Sequence, residues 1–180
     1  MTEGFERTGS DRIVLRVDDI ERGLLGSLAE QIEEFVRPDE ADPDRDPLFA
    51  IVGIDDEAEI SDDPALARLL PDAYPDDPEA SRDFRRFTER SLRESKAAHA
   101  RTVAQCCARS GAKVTMSMDE SAAWLGFLND ARLAIGTRIG IAEDNHDELE
   151  QLPEDDPRYG LFHVYDWLTY LQDSLLRCLG

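Results

Sequence analysis

The helix predicted over residues 120–144 carries the polar side chains best placed to do chemistry. Its sequence, ESAAWLGFLNDARLAIGTRIGIAED, is apolar on most sides, which is typical of a helix buried in the protein interior. A buried charge is costly unless it is paired, so polar residues on such a helix need partners or a ligand. Together with one acidic residue of the last predicted helix, they form the candidate polar cluster: Asn129, Asp130, Arg132, Arg138 and Asp166.

Two interpretations of the candidate polar cluster stay open. In one, the helix is a central strut whose arginines are tied to neighbouring elements by carboxylates, for which Asp72, Asp83 and Asp166 are available. In the other, the cluster lines a cleft for a small ligand or a substrate, because perturbed ionisable groups gather at functional sites. We favour the first interpretation, in which these residues hold the helix to its neighbours. Gly136 and Gly140 are then expected to let a neighbouring element approach this helix closely.

Neither metal binding nor covalent catalysis has a recognisable motif in this sequence. The three histidines are His99, His146 and His163. None stands at the spacing of a zinc site, although His163 and Asp166 are one turn apart and could touch, and His146 is expected to be solvated. Cys106 and Cys107 lie within a predicted helix, where cysteine acts as a small apolar residue. We therefore predict no metal site, no cofactor and no catalytic residue, and we favour a non-enzymatic function.

The helix predicted from residue 78 to a C-terminal cap at Gly111 carries a second candidate site. At 100° per residue, seven of its cations fall within about 160° of one another. Four of them define the candidate interaction face: Arg82, Arg86, Arg90 and Arg93. The opposite side is aromatic at its start and small thereafter, which would let another helix pack closely against it.

The candidate interaction face has three competing interpretations. It could bind a protein partner, bind the phosphates of nucleic acid, or pair inside the molecule with the acidic segment 38–77 folded back over it. The net charge of −20 repels a polyanion, and no aromatic residues alternate with the arginines to stack on bases. We therefore favour the intramolecular pairing and disfavour nucleic acid as a partner.

The elements that must position these residues are mainly helical. Alternating apolar residues predict three short strands in a small antiparallel sheet, and a capping box at Asp18 predicts the first helix. Asp-Pro pairs mark further helix starts near residues 47, 64, 78 and 157. We predict a mainly α fold in a single domain, 1–180, with about four main helices and two short ones. The predicted strands cover about 5–8, 12–17 and 113–117.

The negative charge of the chain is concentrated in two segments. Residues 38–80 hold 15 acidic and 2 basic residues, and residues 143–158 hold 8 acidic and 1 basic residue, whereas the rest of the chain balances. We interpret about 38–77 and 143–158 as acidic connecting segments that keep the protein soluble. The longest apolar run, LFAIVGI, is too short to cross a bilayer, and the sequence begins with no secretory signal. These features predict a cytoplasmic protein.

Three segments occur in this order along the chain: LLPDAYPDDPEASRDFRRFTERSLRESK, WLGFLNDARLAIGTRIGI and YDWLTYLQDSLL. As a set they resemble the actinobacterial domain-of-unknown-function family numbered 2017, and the resemblance covers most of the chain. It implies a small cytosolic protein of one domain with no established activity. Genes of this family often stand beside the adaptor of the Clp protease, and some members are called transcriptional regulators.

The sequence and the resemblance together predict a non-enzymatic regulatory or protein-interaction protein, with a link to regulated, Clp-type proteolysis implied by the resemblance. One alternative is a nucleic-acid-binding transcriptional regulator that uses the candidate interaction face. Another is a small-ligand binder or enzyme that uses the candidate polar cluster. A protein partner is expected, and the small residues on the long helix would serve a homodimer equally well.

Overall fold

The computed structural model describes residues 3–37 and 61–180 of the chain. Within these residues the fold has three strands and six helices, which confirms the predicted, mainly α class. The strands are β1 (Gly4–Thr8), β2 (Arg12–Arg16) and β3 (Val114–Ser117). The helices are α1 (Asp19–Val36), α2 (Pro64–Leu69), α3 (Pro78–Ala108), α4 (Met118–Ile139), α5 (His146–Glu150) and α6 (Tyr159–Leu179). The short helix predicted from residue 47 lies outside the described residues.

The strands form one antiparallel sheet, as predicted, and their order in it is β1-β2-β3. β1 and β2 are joined at Thr8-Gly9-Ser10, where Gly9 has a φ of 78° that favours glycine. Ile13 and Leu15 alternate along β2 and are fully buried, so one face of the sheet packs on the helices.

Local capping explains where most of the helices begin. Asp18 and Ser117 each form a complete capping box at the start of α1 and α4. Asp63 and Asp77 cap α2 and α3 by accepting hydrogen bonds from backbone N–H groups, with proline as the next residue. The helix starts predicted after Asp18 and near residues 64 and 78 are therefore confirmed.

The start of α6 and the end of α3 differ from their predicted positions. α6 begins at Tyr159 and not at residue 157, because the Asp156 carboxylate accepts hydrogen bonds from both the backbone and the guanidinium of Arg158 and closes a turn there. α3 ends at Ala108, and Gly111 follows in the loop with a φ of 132°. Glycine is needed at that position, but it does not cap the helix.

α4 occupies the centre of the described fold. It packs against α2, α3 and α6, while α1 packs against α3. Trp124, Phe127 and Leu128 of α4 are fully buried, and the Phe5 ring meets the Trp124 ring edge-on at 5.6 Å. No helix in the described ranges is both long and apolar enough to cross a membrane.

The first strand is fastened to the last helix. The backbone N–H of Phe5 donates to Ser174 Oγ at 3.1 Å, and Cys178 Sγ donates to the Phe5 carbonyl oxygen at 3.2 Å. Gly4 adopts a φ of 79°, and a Cβ there would lie 3.0 Å from Ser174 Oγ. β1 therefore sits directly on α6.

The two glycines of the central helix have different roles. A Cβ at Gly136 would lie 2.7 Å from Ile141 Cγ2 and 3.2 Å from Tyr165 Cε2, so this glycine allows the close approach that the sequence predicted. Gly140 has open space around it and instead ends α4 with a left-handed φ of 71°. The helix therefore stops at Ile139, several residues before the predicted end.

Candidate functional site

Asp130 is paired across the interface between α3 and α4. Its carboxylate accepts a hydrogen bond from Lys96 Nζ at 2.6 Å, and the side chains of Asp130 and Lys96 are 3% and 15% exposed. A carboxylate this deeply buried needs such a partner. The central helix thus keeps this charge by pairing it with a cation of the long helix.

Arg138 ties the end of α4 to the start of α2. Its guanidinium donates to Asp63 Oδ2 at 2.6 Å and lies over the Phe35 ring at 6.0 Å. The hydrogen bond from Arg138 holds the pKa of Asp63 below its ordinary value. Arg138 therefore links α4 to a neighbouring element, as predicted. Its partner is Asp63, the N-terminal cap of α2, and not one of the three carboxylates proposed from the sequence.

Arg132 has no carboxylate partner among the described residues. Its Nε donates to Thr169 Oγ1 at 2.9 Å, and its Nη1 donates to Gln172 Oε1 at 2.5 Å. The guanidinium lies over the Tyr165 ring at 5.3 Å. α6 therefore holds this cation in a fixed position through neutral groups alone.

Asp166 and Asn129 lie apart from these pairs. Asp166 Oδ1 lies 3.0 Å from His146 Nε2, whereas the ring of His163, its expected neighbour, contacts Tyr159. Asn129 is exposed. The members of the candidate polar cluster thus face different neighbours and do not line one cleft.

One group of possible metal ligands comes together on α5. Ligand atoms of His146, Asp147 and Glu150 lie within 4.8 Å of one another, and all three residues are exposed. Exposed acidic groups on a five-residue helix are ordinary in a chain this acidic. The arrangement carries no metal assignment.

A cavity of ≈ 350 Å³ opens between α2, α4 and α6, and Arg132 lines it. Arg68 of α2 lines the same cavity and, like Arg132, forms no ion pair with a described residue. Thr137 and Tyr165 complete its polar and aromatic wall. This volume falls at the lower end of the range for small-molecule sites. We call it the Arg68/Arg132 pocket.

The first half of α3 turns part of its basic side inward. Arg85 is 7% exposed and donates to Glu89 at 2.5 Å, to Asp72 at 3.0 Å and to the Leu70 carbonyl oxygen. Burial lowers the pKa of Arg85, but the hydrogen bonds to the two carboxylates outweigh it and raise that pKa. Glu89 also accepts from Arg93. The Arg-Glu-Arg series at four-residue spacing is the sequence signal that could have revealed this network.

Three members of the candidate interaction face have carboxylate partners inside the molecule. Arg90 pairs with Glu94 at 3.1 Å, Arg86 with Asp83 at 3.8 Å, and Arg93 with Glu89 at 2.8 Å. Arg82 is exposed and forms no ion pair with a described residue. Among the described residues, Asp72 is the carboxylate of the acidic segment 38–77 that pairs along this side, and the other paired carboxylates belong to helices.

The aromatic side of α3 faces solvent. Phe84 is 46% exposed and Phe87 is 59% exposed, and Leu92 is similarly exposed on the same helix. Tyr74, in the loop before α3, meets the Phe84 ring edge-on at 5.9 Å. We call these four side chains the α3 patch. The sequence showed this aromatic side but not that it would remain uncovered within the described fold.

The cysteines are poorly disposed for thiol chemistry. Cys106 and Cys107 are buried on α3, and burial raises the pKa of both thiols, that of Cys107 to about 12. Reactive cysteines have lowered pKa values and access to solvent. This agrees with their predicted role as small apolar residues.

The family described as "Domain of unknown function (DUF2017)" matches residues 2–179, which confirms the resemblance seen in the three sequence segments. The protein named "Oxidative stress regulator AosR" of Mycobacterium tuberculosis is 32% identical to this chain over 173 residues, covering 88% of this chain and 78% of that protein. The protein of the same name in Mycobacterium bovis has the same identity and coverage. No solved structure matches this chain.

Proposed function

We propose, from the premise that this chain belongs to the family "Domain of unknown function (DUF2017)", that it is a cytoplasmic, non-enzymatic regulatory protein that acts by binding another protein. The name of its mycobacterial relatives, oxidative stress regulator, supports a place in a stress response. The observation that carries the proposal is the α3 patch, an exposed apolar surface on the longest helix.

The surroundings of the α3 patch indicate the chemistry of its partner. Arg86 and Arg90 are paired with Asp83 and Glu94, so these charges cancel. In the same stretch of chain, three exposed acids and one exposed arginine form no ion pair with a described residue, which leaves the charge there net negative. They are Asp76, Asp77, Glu79 and Arg82. We therefore propose that the patch receives an apolar segment of another protein that is flanked by lysine or arginine. Complementary charge would accelerate this association and make it weaken as salt is added.

Nucleic acid and a second copy of this chain are less favoured occupants. The arginines that would meet phosphates are paired inside the molecule, with Arg82 as the exception among the candidate interaction face. A second copy brings another net charge of −20, which opposes self-association. A homodimer and a DNA complex are accordingly outcomes that the experiment must distinguish.

A photo-crosslinking amino acid at Phe87 in living cells would identify the partner. The partner is then purified, and its binding is measured by calorimetry at low and high salt with the wild type and with Phe87→Glu. The adaptor of the Clp protease is included as a defined bait, because the family resemblance points to it. Analytical ultracentrifugation and a DNA gel-shift test run in parallel.

Leu176→Glu provides the matched control, because Leu176 on α6 is 47% exposed and lies outside the α3 patch. We expect Phe87→Glu to weaken binding by about 2 kcal/mol or more, as for an aromatic anchor, and Leu176→Glu to leave it unchanged. Equal loss in both variants, or a partner that binds Phe87→Glu as tightly as wild type, would refute the proposed surface. The proposed link to Clp-type proteolysis stands only if the purified Clp adaptor binds this protein.

A further inference from the structure

The Arg68/Arg132 pocket is positively charged in a strongly acidic protein. The chain holds 40 acidic and 20 basic residues, so a carboxylate partner for an interior arginine is readily available. Other arginines in the interior have one: Arg85 and Arg93 both bind Glu89. Arg132 is instead surrounded by the hydroxyl of Thr169, the amide of Gln172 and an aromatic ring.

The position of Arg132 is fixed before any ligand arrives. Arg132 donates two hydrogen bonds to acceptors on α6, and its guanidinium lies over the Tyr165 ring, so little side-chain freedom remains to be lost on binding. Gly136 lets Ile141 and Tyr165 close the wall of the pocket next to it, because a Cβ there would lie 2.7 Å from Ile141 Cγ2. The Arg132 side of the pocket is therefore preformed.

We propose that the Arg68/Arg132 pocket binds a small anionic metabolite that carries a carboxylate or a phosphate group. The guanidinium groups supply the positive charge and the planar donors that both anions require. The pocket volume of ≈ 350 Å³ suits a compact ligand. The anion takes the place of the carboxylate that the described fold does not supply to Arg132. The pocket shares no residue with the α3 patch, so this binding is independent of the proposed protein contact.

The test uses the full chain and three defined probes: inorganic phosphate, phosphoenolpyruvate and succinate. Each is titrated by calorimetry at ionic strength held constant with chloride, and the Arg132 Nε–H resonance is followed by NMR. Comparing the affinity for inorganic phosphate with the affinity for succinate distinguishes a phosphate site from a carboxylate site. Arg68→Gln and Arg132→Gln remove one cation each, and Arg132→Lys keeps the charge without the planar fork. Arg82→Gln is the control, because Arg82 is an exposed arginine without an ion pair to a described residue, away from this pocket.

We expect saturable binding of at least one probe with a shift of the Arg132 resonance. The affinity should fall about tenfold or more in Arg68→Gln and Arg132→Gln, less in Arg132→Lys, and not in Arg82→Gln. Arg68 is exposed, so its variant keeps the test valid if Arg132→Gln fails to fold. The proposal is overturned if none of the probes binds saturably, if the two pocket variants bind like wild type, or if Arg82→Gln loses as much affinity as they do.

Discussion

The buried pair between Lys96 and Asp130 should respond unequally to the loss of either partner. Lys96→Met leaves a carboxylate that is 3% exposed without a cation, which should destabilise the fold by about 3–5 kcal/mol. Asp130→Asn leaves Lys96, which is 15% exposed and can turn its long side chain towards water. We therefore expect this second change to cost about 1–3 kcal/mol.

Urea unfolding of the two single variants and of Lys96→Met/Asp130→Leu would measure these effects. Replacing both charges with apolar groups should leave the double variant within about 2 kcal/mol of wild type, because no unpaired charge remains. Glu94→Gln is the control, since it breaks an exposed pair with Arg90 and should cost about 0.5 kcal/mol or less. A Lys96→Met variant that loses no more stability than this control, or a double variant as unstable as the sum of the single ones, would show that the buried pair does not act in this way.

Two further predictions concern an acid and the thiols. Arg109 holds the pKa of Glu120 at about 2, below the ordinary 4.5, so the resulting stability is present above pH 4.5 and is lost as the pH falls towards 2. Glu120→Gln should flatten the pH dependence of the unfolding free energy in that window, and an unchanged slope would contradict this account. Iodoacetamide at pH 7 should alkylate Cys178 before Cys107, whose pKa of about 12 leaves about one thiolate in 10⁵. Peptide mass mapping checks the order, and equal labelling rates would disprove it.

Local signals made most of the fold predictable. Capping residues such as Asp18, Asp63 and Ser117 act on their own helix, so the sequence alone locates the helix starts. Alternating apolar residues likewise located the strands, since a side chain must face the core or solvent. Gly140 was misjudged because a glycine that caps a helix and a glycine that admits a neighbour look the same in sequence.

The candidate site was less predictable, because pairing depends on elements far apart in sequence. Lys96 meets Asp130, and Arg138 meets Asp63, across separations that no local pattern encodes. The aromatic side of α3 was recognised, but whether another element covers it depends on how the helices pack. That no described carboxylate pairs with Arg132 is visible only once its neighbours are known.

The contact between β1 and α6 joins the two ends of the described chain, since Phe5 and Ser174 are 169 positions apart in sequence. During synthesis β1 leaves the ribosome well before its hydrogen-bonding partners on α6. The nascent chain must therefore hold its first strand without this support until α6 has been made. Contacts this distant in sequence slow folding, because a large loop must close before they form. Before α6 has been synthesised, β1 is therefore the segment that we expect a chaperone specific for exposed strands to bind.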